Sequence, residues 1–151
     1  MIDLLHAYGN YLSKVKQAPE NTVSSYLRDI RQFSLWLNNN EKKDVLESDY
    51  SDISTYLRYL KDQGKTGATV SRSLASLKSF FSYAISAGFL DSSPISDSIR
   101  VERGERKLPQ ILTGNEVELL LSQPSRVDSK GLRDKAMLEV MYATGIRVSE
   151  L

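Results

Sequence analysis

The sequence contains no cysteine. Disulfides and thiolate metal sites are therefore excluded, and the absence weakly favours a reducing compartment. Its single histidine, His6, is too little for a zinc site, so no metal is expected. No apolar run approaches the roughly 20 residues that a membrane span needs. No signal peptide is expected either: Asp3 and His6 interrupt the first apolar stretch, and no basic region precedes it. The expected compartment is the cytoplasm, with no membrane partner. Excess charge of one sign is also lacking. Twenty basic and 19 acidic side chains leave +1 at pH 7, so the overall balance says nothing about nucleic acid.

The distribution of charge says more. Residues 41–52 hold Glu41, Asp44, Glu47, Asp49 and Asp52 against Lys42 and Lys43, a net of −3. Residues 55–83 hold Arg58, Lys61, Lys65, Arg72 and Lys78 against Asp62, a net of +4. Taken alone, such runs are solvated surface.

Alternating strand patterns are absent, and every long segment has helical period. Leu5, Tyr8, Leu12 and Val15 step by three and four. Val23, Leu27, Ile30 and Leu37 do the same, with Tyr26 and Phe33 beside them. Ile53, Leu57 and Leu60 follow, stopped by Gly64, and then Val70, Leu74, Leu77, Phe81 and Ala84, stopped by Gly88. This predicts an all-α bundle of four helices over residues 1–90 that folds on its own. Residues 91–110 read as a linker, marked by Pro94, Gly104, dense charge and no apolar stripe, and closed by Pro109. A second unit, 111–151, opens with Thr113 and Glu116 in capping-box spacing. A loop then leads to a helix expected to turn Leu132, Ala136, Met137, Val140 and Met141 inward.

Several constellations can carry chemistry. On the fourth helix, Arg72, Ser76, Ser79 and Tyr83 fall behind the five-residue apolar stripe at 100° per residue. Such a row can approach a phosphate backbone or enter a major groove; it can equally be an ordinary wet face. The second helix offers Ser25, Arg28, Asp29 and Gln32 on its polar side, where Asp29 is expected to repel a phosphate. Leu35 and Trp36, off the apolar stripe, are expected to pack on a neighbouring helix. The linker cations Arg100, Arg103, Arg106 and Lys107 can neutralise phosphates, although Glu102 and Glu105 alternate with them. Near the end, a helix stops at Gly145 and a second opens with Arg147 in its first turn. A guanidinium there suits an anion; alternatively Arg147 pairs with Glu150 or Glu139 on the surface. Arg133 and Asp134 are expected to hold the helix pair together. The chain stops one turn into that last helix, which is read as the front part of a longer protein.

Four stretches together resemble one family. Residues 133–151, RDKAMLEVMYATGIRVSEL, resemble the first catalytic motif of the tyrosine recombinases, or phage integrases. Residues 108–121, LPQILTGNEVELLL, are similar to the opening of their catalytic domain. Residues 21–37, NTVSSYLRDIRQFSLWL, and 69–94, TVSRSLASLKSFFSYAISAGFLDSSP, are similar to their N-terminal DNA-clamping domain. Ala18 stands where a serine is usual, a small departure. The compact Xer-type members, which resolve chromosome dimers, resemble the chain well.

The resemblance implies a SAM-like core-binding domain over 1–90, a linker, and the first helices of a truncated catalytic domain. It implies strand cleavage and rejoining through a 3′-phosphotyrosyl link, without ATP or any other cofactor. It also implies double-stranded DNA as partner and, for the longer protein, a second recombinase subunit within a tetrameric synapse. Arg147 would be the first catalytic arginine, contacting the scissile phosphate, with Glu150 orienting it. Arg28, Arg72, Ser76, Ser79, Tyr83 and Arg103 would contact DNA. The lysine, the later histidine–arginine pair and the tyrosine nucleophile would lie beyond Leu151, so the chain itself is expected to be inert. Two alternatives remain at this point: a stand-alone DNA-binding regulatory module of the same fold, and a helical protein-interaction domain.

Overall fold

The computed structural model describes residues 2–96, 99, 101, 110–125 and 127–151. Among these no strand occurs, and the elements are helices and helical turns. The chain divides into two compact units, Met1–Arg106 and Lys107–Leu151.

In the first unit, α1 (Ile2–Asn10) runs into one wide π turn, Tyr11–Val15. The Lys16 amide donates to the Tyr11 carbonyl five residues back, at 3.0 Å. That extra residue per turn breaks the 3–4 register. Leu5, Tyr8 and Leu12 are buried, but Val15, expected to continue the stripe, is 68% exposed. After a turn through Gln17 and Pro19, α2 (Glu20–Asn40) buries Ile30, Phe33, Trp36 and Leu37. Trp36 packs beside Tyr56 and Tyr59, ring centroids 5.3 and 6.1 Å away. Leu35 does not join it and stays exposed.

The acidic stretch 41–52 is used for helix starts. Asp44 and Glu47 cap a short 3-10 turn, Val45–Glu47, and Asp49 and Asp52 form a reciprocal capping box on α3 (Tyr50–Asp62). Lys43 Nζ closes this corner, 2.9 Å from Asp52 and 3.4 Å from Asp49. Thr66 then caps α4 (Gly67–Ser86), whose buried arc holds Val70, Leu74, Leu77, Phe81 and Ala84 as the periodicity predicts, and also Ser73, Ser76 and Phe80. The core thus lies among α1, α2, α3 and α4. Beyond α4 the chain turns back: Leu90, Ile95, Ile99 and Val101 pack partly buried against that core. Ile95, Ile99 and Val101 fall in the stretch read as plain linker, and none of the three is in a helix.

The second unit holds α5 (Gly114–Ser122), α6 (Ser129–Thr144) and a 3-10 turn, Val148–Glu150. The capping box forms as its spacing predicts: the Thr113 amide donates to Glu116 Oε2 at 2.7 Å, and the Glu116 amide donates to Thr113 Oγ1 at 3.4 Å. Asp128 caps α6 by accepting from the Gly131 amide at 2.9 Å. Gly131 sits so tightly on the loop that a Cβ there would collide with the Ser125 carbonyl. At the other end Gly145, at φ 69°, terminates the helix in the left-handed conformation, its amide donating to Met141. The expected inward face is not buried in this unit. Leu132, Ala136, Met137 and Val140 are exposed and Met141 is half-buried. Two helices this short cannot cover one another's apolar sides.

Candidate nucleic-acid interface

The row Arg72, Ser76, Ser79 and Tyr83 is a seam rather than an outward face. Phe80, Ser73 and Ser76 widen the buried arc of α4 on one side only, moving its centre by roughly 30° at 100° per residue. The row therefore lies along the flank of the buried arc, where α4 meets its neighbours. Its first half meets α2 and its second half meets α1.

At the α2 side stands Asp29, 2% exposed. Its Oδ2 accepts from Arg72 Nη1 at 2.7 Å and from Ser76 Oγ at 2.8 Å. Ser76 is fully buried, so it cannot itself reach a ligand. Its hydroxyl proton has two acceptors in range, Asp29 and the Arg72 carbonyl at 3.0 Å; the ionised carboxylate is the stronger. Asp29, expected to repel phosphate from the surface, is instead buried and neutralised by Arg72. The Arg72 side chain remains 40% exposed. On α3, burial pushes the Tyr56 hydroxyl up to about 12, partly offset by the neighbouring Ser73 hydroxyl of α4. The two lie near one another without a well-formed hydrogen bond, and both hydroxyls are buried without a partner.

At the α1 side, Tyr8 donates to Ser79 Oγ at 2.9 Å, and burial pushes the Tyr8 hydroxyl up to about 12. Tyr83, half-buried, packs between Tyr8 and Tyr11, with centroids at 5.4 and 4.9 Å. Lys16 Nζ lies 5.8 Å from the Tyr11 ring centre. On α2, Arg28 is exposed, its guanidinium 3.3 Å from Ser25 Oγ one turn back. Arg103, with the other linker cations Arg100, Arg106 and Lys107, lies outside the described residues.

In the second unit, Arg147 precedes the 3-10 turn Val148–Glu150 rather than sitting inside an α-helix. Its amide donates to Glu150 Oε2 at 2.8 Å and its Nη1 to Oε1 at 3.2 Å, so Glu150 holds both ends of the residue. The Arg147 side chain is 82% exposed. Glu139 pairs with Lys135 instead, at 3.5 Å. Arg133 and Asp134 bond one another at 2.7 Å rather than bridging helices. Sequence reasoning missed the Asp29–Arg72–Ser76 cluster, since nothing in the spacing pairs residues 43 positions apart.

Two family profiles match in chain order. "Phage integrase, N-terminal SAM-like domain" covers residues 5–88, and "Phage integrase family" covers residues 110–151. The chain belongs to the phage integrase, or tyrosine recombinase, family. Similar proteins include one from Caldanaerobacter subterraneus subsp. tengcongensis, 41% identical over 93% of this chain and 48% of the relative. Tyrosine recombinase XerC of Roseiflexus sp. (strain RS-1) is 34% identical over 100% of this chain and 48% of the relative. Tyrosine recombinase XerD of Oceanobacillus iheyensis is 40% identical over 87% of this chain and 44% of the relative. The chain thus spans about half the length of the relatives it matches.

Proposed function

We propose that this chain is the DNA-clamping part and the opening of the catalytic domain of a site-specific tyrosine recombinase. The proposed division is the one expected from sequence: core-binding domain over 1–90, linker over 91–110, catalytic segment from 111. The observation that carries the reading is the pair of family matches, in the family's order, over segments that supply the seam with Arg72 and the exposed Arg147. Within the first unit, Arg28 and Arg72 are the phosphate- or base-contacting cations, with Ser79 and Tyr83 at the edge of the same seam. Ser76 acts from the interior, through Asp29.

Arg147 is the first catalytic arginine. A planar guanidinium gives a bidentate contact to two phosphate oxygens and stabilises charge that develops on them during transesterification. The reaction exchanges one phosphodiester for another through a phosphotyrosyl link, so it needs no cofactor to supply energy. A tyrosine nucleophile and the remaining charge stabilisers belong to the longer protein, which works with a second recombinase subunit in a tetrameric synapse. The protein acts in the cytoplasm.

A suicide DNA substrate tests the reading. The 151-residue chain should form no denaturant-resistant protein–DNA adduct, whereas the longer protein should. In that protein Arg147→Ala should still bind DNA but lose about 10²–10³ in cleavage rate, the usual consequence of removing one preorganised charge donor. Arg147→Lys should rescue poorly, because an ammonium lacks the planar fork. An adduct with the short chain, or near-normal cleavage by Arg147→Ala, would overturn it.

A further inference from the structure

A carboxylate on a DNA-facing seam is at first sight a cost. It subtracts charge where phosphates are to be attracted, and interfaces with nucleic acid gain most of their raw affinity from cations. Asp29 is nevertheless placed 2% exposed between α2 and α4, where its Oδ2 accepts from both Arg72 Nη1 and Ser76 Oγ. Its partner is an arginine whose side chain is 40% exposed while its Nη1 is held on that oxygen.

We infer that Asp29 is a positioning residue that trades general affinity for DNA for sequence preference, by fixing the Arg72 guanidinium in one orientation. The inference rests on the reading that this seam faces DNA. A long, flexible cation gives phosphate contacts in many orientations, and these carry no sequence information. A bidentate contact to a base edge requires the guanidinium plane to be set beforehand. An arginine clamped by a buried carboxylate loses less rotamer entropy on binding and presents fewer donors to phosphates in the wrong place. Ser76 completes the clamp by fixing the carboxylate itself, which is why a buried serine matters on this helix.

The clamp makes an unusual prediction that a merely structural carboxylate does not. Asp29→Asn keeps the shape and can still accept from Ser76, but it removes a negative charge and weakens the hold on Arg72. The test uses the 151-residue chain, a duplex selected by this chain from a random pool, and a random duplex of equal length. Binding is measured below the melting temperature of each variant. Asp29→Asn should bind random duplex as tightly as the parent or more tightly. Its preference for the selected duplex should fall by about fivefold or more, the low end of what one well-held arginine–base contact supplies. In an Arg72→Ala background, Asp29→Asn should leave the preference unchanged.

The failures are distinguishable. If Arg72→Ala alters neither affinity nor preference, or the chain selects no sequence, the DNA-facing reading of this seam fails and the inference falls with it. If Arg72→Ala lowers the preference but Asp29→Asn does not, or the two losses simply add, only the positioning role of Asp29 is overturned. Should Asp29→Asn not fold, the parent protein still decides: side-chain nitrogen NMR should show separate, slowly exchanging Arg72 Nη signals without DNA. Averaged signals like those of Arg28 would contradict the clamp.

Discussion

Asp29 on α2 and Arg72 on α4 are joined across the helix pair at 2.7 Å, yet their exposure is very unequal: the Asp29 side chain is 3% exposed and the Arg72 side chain 40%. Removing either partner therefore has different consequences. Arg72→Ala strands a buried carboxylate on one serine hydroxyl. Asp29→Asn leaves an arginine that can turn toward water. Chemical denaturation should show Arg72→Ala losing about 1–3 kcal/mol, the cost of an inadequately paired buried polar group, with Asp29→Asn losing less. Losses below about 0.5 kcal/mol for both would mean that the pair is worth no more than a screened surface contact.

Tyr8 and Tyr56 make the fold sensitive to alkali. Both hydroxyls are raised from 10.0 to about 12, chiefly by burial. In the unfolded chain they ionise near 10, in the folded protein only near 12. Between these values the unfolded state binds fewer protons, so stability is full below pH 10 and falls as pH rises toward 12. The loss should be of order 2 kcal/mol per tyrosine. Phenylalanine at either position should remove its share of the alkaline slope. At neutral pH the two variants should part company: Tyr8→Phe loses the bond to Ser79, costing about 1 kcal/mol, while Tyr56→Phe deletes an unpartnered hydroxyl and should be nearly neutral or stabilising. A flat stability profile from pH 9 to 11.5 would contradict this account.

Truncation tests the returning segment. A piece ending at residue 90 should be helical and melt cooperatively, but it lacks Ile95, Ile99 and Val101, which pack on the core. A piece extended to residue 101 should melt at least about 4 °C higher, as expected if the three side chains contribute on the order of 1 kcal/mol to a domain of this size. Identical melting curves would show that the segment adds nothing.

Gly131 is predicted to tolerate no side chain. A methyl there meets the Ser125 carbonyl, which is backbone and cannot rotate away. Gly131→Ala should therefore disrupt the α6 start and its Asp128 cap. Hydrogen exchange should rise in α6 while amides of α2 and α4 remain unchanged. Unaltered α6 protection would mean that the loop yields freely.

The helices of the first unit were legible because their apolar spacing is regular and their stops are marked by Gly64 and Gly88. Ser73 and Ser76 were not legible as interior residues. A serine is polar in composition but small enough for two helices to approach over it, and the partner that meets the buried Ser76 hydroxyl, Asp29, is brought near only by the tertiary structure. Val15 was misplaced because a π turn leaves no trace in hydrophobic period. The predicted inner face of α6 failed for another reason: spacing shows which residues share a side, but only neighbouring elements decide whether that side is covered. Arg147 was legible as a residue, through its motif, while its two bonds to Glu150 required the backbone turn at Val148–Glu150.

The proposal that the first unit holds DNA through Arg28 on α2 and Arg72 on α4 is tested most directly by a salt series. Fluorescence anisotropy of a labelled duplex, titrated with the 151-residue chain at increasing salt, should give an affinity that falls steeply and log-linearly with salt concentration. Arg28→Ala and Arg72→Ala should each weaken binding, and each should flatten the slope by about one if the lost contact is to phosphate. No complex at low salt, or a complex whose affinity and salt slope ignore both arginines, would contradict the account.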